Sequence, residues 1–288
     1  MPELPEVETI KRGLNSRIVG KKIKKIKIAP DFKKKIFPNA KVFLDFLQGK
    51  RIKSVKRKGK LLILEIDKNQ DLLIHLKMTG QLVYRAKDGK ATVGGHPIVN
   101  QKTLPNKFTR VIFYFNNGSI LYFNDVRKFG YMRLTEKKET ENILGKIGPD
   151  ALTKEFNYKY FLQIVEKNPK KKIKAFLLDQ ALISGLGNIY TDEALFSSGI
   201  RPDKPAGKIK KDKLKKLFSE IKKILLKSIE LGGTSFSDYL NSQGSQGGFQ
   251  KKLQVYGRAG EKCLKCGTKI VKTKIAGRTS SYCPKCQK

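Results

Sequence analysis

Acidic residues are scarce in this chain of 288 residues: 25 Asp plus Glu stand against 62 Lys plus Arg, a formal charge of +37. Such an excess points to a polyanionic partner, because basic side chains bind phosphates by releasing condensed counterions. Lysine supplies most of the charge, and a lysine-rich proteome gives the same composition without any binding surface. An anionic membrane surface is the rival polyanion, but neither end carries a basic amphipathic anchor. Long apolar runs are missing too; none reaches the roughly 18 residues of a membrane span. The start, Met1-Pro2-Glu3-Leu4-Pro5-Glu6, is acidic and proline-rich, the opposite of a secretory signal. The expectation is a cytoplasmic protein with no membrane partner. Histidine occurs only as His75 and His96, which excludes a histidine-rich metal centre and gives little support to a Ser-His-Asp triad. Cysteine is confined to Cys263, Cys266, Cys283 and Cys286, near the end of the chain.

What is present suffices for two or three compact units with a sizeable core. Hydrophobic residues make up 39%, enough for a folded chain. Val7, Ile10 and Leu14 recur at helical spacing over 5–17, with Pro5 near the helix start. From Ile18 to Leu134 the pattern turns to short apolar runs, with strands expected at 61–66, 71–76 and 110–115. Asn116-Asn117-Gly118-Ser119 is a hairpin signal between 111–115 and 120–123. Beyond Gly148-Pro149 the character is helical. Helices are expected at 158–166, 175–181, 188–198 and 210–230, the last ending at Gly232-Gly233. Residues 234–252, rich in Ser, Gly and Gln, read as a long loop, a class that in compact proteins is functional or disordered. The fold class expected is α+β. An antiparallel β-sandwich with flanking helices (1–135) precedes a helical domain (150–233), a loop (234–253) and a cysteine-rich module (254–288).

That module has the spacing C-x2-C-x16-C-x2-C, within the range of a structural zinc site. Two knuckles, each presenting two thiolates, close a tetrahedral shell with no position left for water. The competing reading is two disulfides, which a cytosolic compartment disfavours. Residues 269–282 between the knuckles read as a β-hairpin, with Lys272, Lys274 and Arg278 around a turn at Ala276-Gly277. A basic hairpin tip suits phosphate contact or groove insertion.

The N-terminus is a second chemical candidate. Small second residues permit removal of Met1, which would expose Pro2 as a secondary amine. An α-amine titrates near ~8 against ~10.4 for lysine, so more of it is neutral and nucleophilic. Glu3 and Glu6 place carboxylates beside it, and a shielded carboxyl serves as general acid. Taken alone, Pro-Glu-Leu-Pro-Glu is more often a helix entry or an extended leader.

The stretch from Met1 to Thr9 resembles the N-terminal signature of the bacterial formamidopyrimidine-DNA glycosylases. The resemblance continues through Lys58-Gly59-Lys60, His75-Leu76-Lys77-Met78-Thr79-Gly80 and Asn124-Asp125-Val126-Arg127-Lys128-Phe129-Gly130. It runs on through Gly185-Leu186-Gly187-Asn188-Ile189-Tyr190, Gly199-Ile200-Arg201-Pro202, Gln254-Val255-Tyr256-Gly257-Arg258 and the cysteine pairs, and so covers essentially the whole chain. Leu4 favours this family over its endonuclease VIII relatives, which typically have glycine there. The resemblance implies a helix–two-turn–helix domain over 150–233, a lesion-recognition loop over 234–253 and a zinc-ribbon finger. It implies that Pro2 attacks the anomeric carbon of a damaged nucleotide, that Glu3 donates a proton to the sugar, and that a Schiff base then undergoes β- and δ-elimination. Lys60 and Arg278 would assist elimination at the phosphates; without the resemblance, Lys60 would be a solvated turn residue. His75, Lys170, Lys174 and Asn188 would contact DNA. Met78, Arg127 and Phe129 would fill the gap left by an everted base, where ordinary core packing is the plainer reading of Met78 and Phe129. The implied partner is damaged double-stranded DNA, bound by a monomer, and the implied cofactor is one structural Zn2+.

The chain departs from the family pattern at Phe108, where many members have histidine, and no DNA contact is assigned there. Lys77 stands where glycine is common, and Lys128 where arginine is common. None of these touches Pro2, Glu3 or Lys60. Three readings remain open: a glycosylase/lyase for oxidised purines, the same scaffold acting on oxidised pyrimidines, and a non-catalytic zinc-ribbon protein that binds nucleic acid by charge.

Overall fold

The computed structural model describes residues 1–67, 69–89, 91–95, 104–234 and 247–288, with the backbone alone for 91–95. Its contacts divide into two units. Met1–Gly145 with Leu231–Gln250 forms the first, and Lys146–Glu230 with Lys251–Lys288 the second.

The first unit opens with α1 (Leu4–Ile18) and β1 (Ile23–Ile28), then β2 (Ile36–Phe37), α2 (Ala40–Leu47) and β3 (Ser54–Lys58). It continues through β4 (Leu61–Glu65), β5 (Gln70–His75), β6 (Gly80–Arg85), β7 (Ala91–Gly95), β8 (Thr109–Phe115), β9 (Ile120–Asp125), β10 (Tyr131–Glu136) and α3 (Lys137–Gly145). The strands build two sheets in the orders β1-β8-β9-β6-β7 and β2-β10-β5-β4-β3. All pairings are antiparallel except β2 with β10. Leu62, Leu64, Leu72, Ile74 and Met132 of one sheet share a core with Leu82, Val111, Phe113, Leu121 and Phe123 of the other. The alternation along β4 and β9 that sends every second residue inward is the period of a pleated strand. The expected sandwich is therefore the observed one. Helix α1 lays Val7, Ile10, Leu14 and Ile18 on the same core. It touches strands of both sheets.

Helix α2 interrupts a stretch that reads as strands. Its signal is local: Asn39 caps it, accepting the Val42 N–H at 2.9 Å. The hairpin at Asn116–Ser119 forms as expected, with β8 paired to β9.

The second unit contains α4 (Tyr158–Lys167), α5 (Ile173–Leu177), α6 (Asn188–Ser198), α7 (Lys211–Glu230), β11 (Val271–Ile275) and β12 (Arg278–Tyr282). Helix α6 matches its expected bounds, and α7 buries Leu214, Leu217, Ile221 and Leu225 along one stripe. Helix α5 does not match. It was expected at 175–181 but starts two residues earlier and stops at Leu177. The residues beyond it prefer side-chain bonds to a further helical turn. Asp179 accepts the Ala181 N–H, while Gln180 donates to the Leu178 and Leu186 carbonyls and accepts from the Gly185 N–H. Gly185, at φ 101°, takes the backbone region that only glycine enters without strain.

Candidate functional site

In the first unit the site begins where α1 begins. Glu3 is the N-cap residue, and a capping box closes there: its side chain takes the Glu6 N–H, and Glu6 Oε2 accepts the Glu3 N–H at 2.9 Å. The other oxygen of Glu6 accepts the Thr234 N–H at 2.8 Å, so both its oxygens are engaged in holding backbone. Pro2 and Glu3 are both buried. Of the two carboxylates named from the sequence, Glu6 is a structural brace.

One turn further along α1, Glu8 Oε2 accepts from Arg57 Nε at 2.9 Å, and Arg57 Nη1 donates to the Gly59 carbonyl at 2.9 Å. Lys58 pairs with Leu61, leaving Gly59 and Lys60 as a two-residue hairpin turn. Gly59 supplies the positive φ (56°) the turn requires. Lys60 is buried rather than solvated. Burial pushes the Glu8 carboxyl up, but Arg57, Arg12 and Lys11 outweigh it and hold the group below the ordinary carboxylate range.

His75 lies opposite Leu61, next to the Lys60 turn. Its Nδ1 accepts the Lys77 N–H at 2.9 Å, so in the neutral ring Nε2 carries the proton and is a donor. Burial, then the charges of Lys77 and Lys60, lower its pKa to about 3. Tyr131 stacks on the ring with centroids 5.6 Å apart.

Met78, Arg127 and Phe129 come together on the surface. Met78 is 41% exposed and Phe129 45% exposed, which rules out core packing for either. Arg127 Nη1 is 3.2 Å from Met78 Sδ, and its guanidinium lies 4.6 Å from the centre of the Phe129 ring. Asp125, a buried residue that the sequence did not single out, ties the two loops together. Its Oδ1 takes the Thr79 hydroxyl and the Arg127 N–H at 3.2 Å, and its Oδ2 takes the Gly130 N–H at 2.7 Å. Lys128, at φ 56°, pairs with Asp31 at 2.7 Å. Phe108 stacks under the Lys107 ammonium.

In the second unit, Arg278 is exposed at the first position of β12, across the turn from Ile275. Ala276 and Gly277 both have positive φ, 48° and 75°, as a tight two-residue hairpin turn demands. Lys170 is exposed ahead of α5. Lys174, expected to contact DNA, is enclosed. It is 0% exposed, and its Nζ donates to Asp192 Oδ1 at 2.7 Å and to the Thr279 carbonyl at 2.9 Å. An ammonium so enclosed has no path to a phosphate unless the clamp opens. Asn188 starts α6, and its Nδ2 also donates to the Thr279 carbonyl at 2.9 Å. Glu193 accepts the N–H groups of Gln254, Val255 and Tyr256. Burial pushes both Asp192 and Glu193 up, against the donors that favour their charged forms. In the sequence this clamp shows only as two adjacent acids, Asp192 and Glu193, in the middle of α6.

The four cysteine sulfurs lie within 4.8 Å of one another, with Cys263–Cys286 at 4.0 Å and Cys266–Cys283 at 3.6 Å. A disulfide needs about 2.05 Å. A zinc tetrahedron with bonds of about 2.3 Å has sulfur–sulfur edges of about 3.8 Å. The donor set fits one structural Zn2+, and with four thiolates it leaves no open position for chemistry at the metal. The lesion-recognition loop expected at 234–253 falls largely on 235–246, outside the described residues. Among the described residues no helix is long and apolar enough to cross a membrane.

Comparison with known proteins covers the chain nearly end to end. Residues 1–132 match the formamidopyrimidine-DNA glycosylase N-terminal domain, and 147–239 match the formamidopyrimidine-DNA glycosylase H2TH domain. Residues 260–288 match a zinc finger found in FPG and IleRS. A formamidopyrimidine-DNA glycosylase from Heliobacterium modesticaldum is 38% identical over 291 residues, covering 100% of both chains. One from Enterococcus faecalis is 40% identical, covering 100% of this chain and 97% of its own. Among solved structures, the Lactococcus lactis Fpg in complex with DNA containing an abasic site has a TM-score of 0.86 at 36% identity, over 99% of each chain. The wild-type L. lactis Fpg (MutM) with DNA containing N7-benzyl-Fapy-dG has a TM-score of 0.87 at 37% identity, over 100% of each chain.

Proposed function

The chain belongs to the formamidopyrimidine-DNA glycosylase family, and from that premise we propose that it is a bifunctional DNA glycosylase and abasic-site lyase that excises oxidised purines, 8-oxoguanine and formamidopyrimidines. Its partner is damaged double-stranded DNA, which it meets as a monomer in a reducing, cytoplasmic compartment.

The reaction follows from the groups in the first unit. With Met1 removed, the Pro2 nitrogen forms a bond to C1′ as the glycosidic bond breaks and the base leaves with a proton. Glu3 gives a proton to the sugar ring oxygen, the ring opens, and the nitrogen and C1′ become a cationic iminium. That cation acidifies C2′. Loss of a C2′ proton expels the 3′ phosphate (β-elimination), and a second proton loss expels the 5′ phosphate (δ-elimination). Lys60 and Arg278 neutralise the leaving phosphates. His75 contributes a neutral Nε2–H donor, whose hydrogen bond to a phosphate ester does not depend on pH near neutrality. Met78, Arg127 and Phe129 enter the stack where the target base has left it.

The observation that carries this reading is the fixing of the chain start. Pro2 and Glu3 are buried and braced by a capping box and by Thr234, a use of structure that a mere leader does not need. The test is incision of matched duplexes carrying 8-oxoguanine or thymine glycol. The 8-oxoguanine strand should be cut faster, leaving phosphate at both ends, and Pro2→Gly should abolish or severely weaken the cut. Faster cutting of thymine glycol would move the substrate to oxidised pyrimidines, and salt-sensitive binding without any cutting would leave only a nucleic-acid binder.

A further inference from the structure

Zinc fixes the hairpin of the second unit at its base, whereas Arg278 sits at its tip. Cys283 lies five positions beyond Arg278, roughly 16 Å at the rise of a strand. A two-stranded ribbon is marginal by itself, so the metal alone cannot hold the guanidinium in place. Something nearer the tip must do it.

The structure shows what does. Asp192, 1% exposed on α6, accepts from Ser280 Oγ at 2.7 Å and from the Ser281 N–H at 3.0 Å. Its Oδ1 also pairs with Lys174 Nζ at 2.7 Å. Lys174 and Asn188 converge on the Thr279 carbonyl, each at 2.9 Å. The three residues that follow Arg278 are thus held one after another, by backbone as well as side chain, from α5 and α6. Burying an ion pair rarely gains stability over an apolar pair of the same size. What a charge pair reading one carbonyl and one N–H does give is register, because a slip of one residue along β12 would break every bond.

We propose that Asp192, acting through Lys174 and the backbone of residues 279–281, is the positioning residue that sets Arg278 for δ-elimination. This rests on the lyase reading above. It assigns Lys174 to the same task, behind the phosphate-contacting surface instead of on it. Asp192 touches neither sugar nor phosphate, so the Pro2 chemistry should proceed without it.

The test uses full-length, zinc-loaded protein lacking Met1 on a duplex with a preformed abasic site. Wild type, Asp192→Ala, Asp192→Asn, Ser280→Ala and Arg278→Ala are compared by zinc content, by borohydride-trapped adduct, and by the ratio of β- to β,δ-elimination products. A displacement of about 1 Å at a reacting group costs on the order of 100-fold in rate. Asp192→Ala should slow the δ step by about tenfold or more while the adduct yield stays near wild type. Ser280→Ala, which removes one bond and should fold normally, shifts the ratio in the same direction by less. In the Arg278→Ala background, Asp192→Ala should add nothing. An unchanged product ratio in zinc-replete Ser280→Ala and Asp192→Asn, or an additive loss with Arg278→Ala, overturns the proposal. Absence of any adduct with wild type overturns the lyase reading instead.

Discussion

Arg57 Nε lies 2.9 Å from Glu8 Oε2, and this contact ties the helix that carries Pro2 and Glu3 to the turn that carries Lys60. Both side chains are shielded, and Arg57 spends a second donor on the Gly59 carbonyl. Without Arg57, Glu8 keeps only Lys11 and Arg12 on its other oxygen, and the Gly59 carbonyl loses this donor. Arg57→Ala should therefore lower unfolding free energy by about 1.5 kcal/mol, read as a drop in the urea midpoint, and should slow elimination as the Lys60 turn loosens. An unchanged midpoint would mean the pair is screened and holds nothing.

The same pair predicts a pH dependence. Burial raises the Glu8 pKa and its basic partners more than reverse this, so the folded value lies below the ordinary 4.5. A depressed folded pKa stabilises fully above the unfolded value and is lost as pH falls through the folded one. Wild type should lose more stability than Glu8→Gln as pH drops below about 4.5, and their urea midpoints at pH 6 and pH 3 should converge. Parallel curves would contradict the assignment.

His75 should stay neutral through the physiological range. With a folded pKa of about 3, its ring resonances should show no inflection between pH 5 and 8. The unfolded chain takes up a proton near 6.5, so this group favours the fold above that pH and ceases to help progressively as pH falls toward 3. A midpoint near 6.5 for His75 in the native spectrum would show that the ring is solvated and charged.

Met78 and Phe129 are exposed, so truncating them should change stability by less than about 0.5 kcal/mol. Excision from a duplex should nonetheless fall by at least an order of magnitude if each fills part of the vacated stack. Cleavage of a single-stranded abasic substrate should change little, because no stack has to be filled. Equal losses on both substrates would place these residues in the chemistry instead.

What the sequence made legible follows the range of the interactions. The sandwich, the 188–198 helix, the Ala276-Gly277 turn and the cysteine set are written in short-range periodicity, turn chemistry and ligand spacing. The exposed grouping of Met78, Arg127 and Phe129 followed only from the family resemblance, since hydrophobic residues read alone suggest a core. Asp125, Asp192 and the burial of Lys174 were not legible. Each depends on partners distant in sequence, as when Lys174 meets the carbonyl of Thr279, and no local pattern marks a lysine that will be enclosed. Helix α5 ends earlier than its sequence pattern suggests because Gln180 competes for backbone groups that a helical reading assigns to the helix.

The most direct test is to identify the atom that joins protein to DNA. Protein confirmed by mass spectrometry to lack Met1 is incubated with duplex containing 8-oxoguanine and reduced with borohydride, and the adduct is digested and mapped. A single cross-link should form on the nitrogen of Pro2, and none with protein that retains Met1. A cross-link on a lysine, or equal yield from the Met1-bearing form, would contradict the Pro2 chemistry.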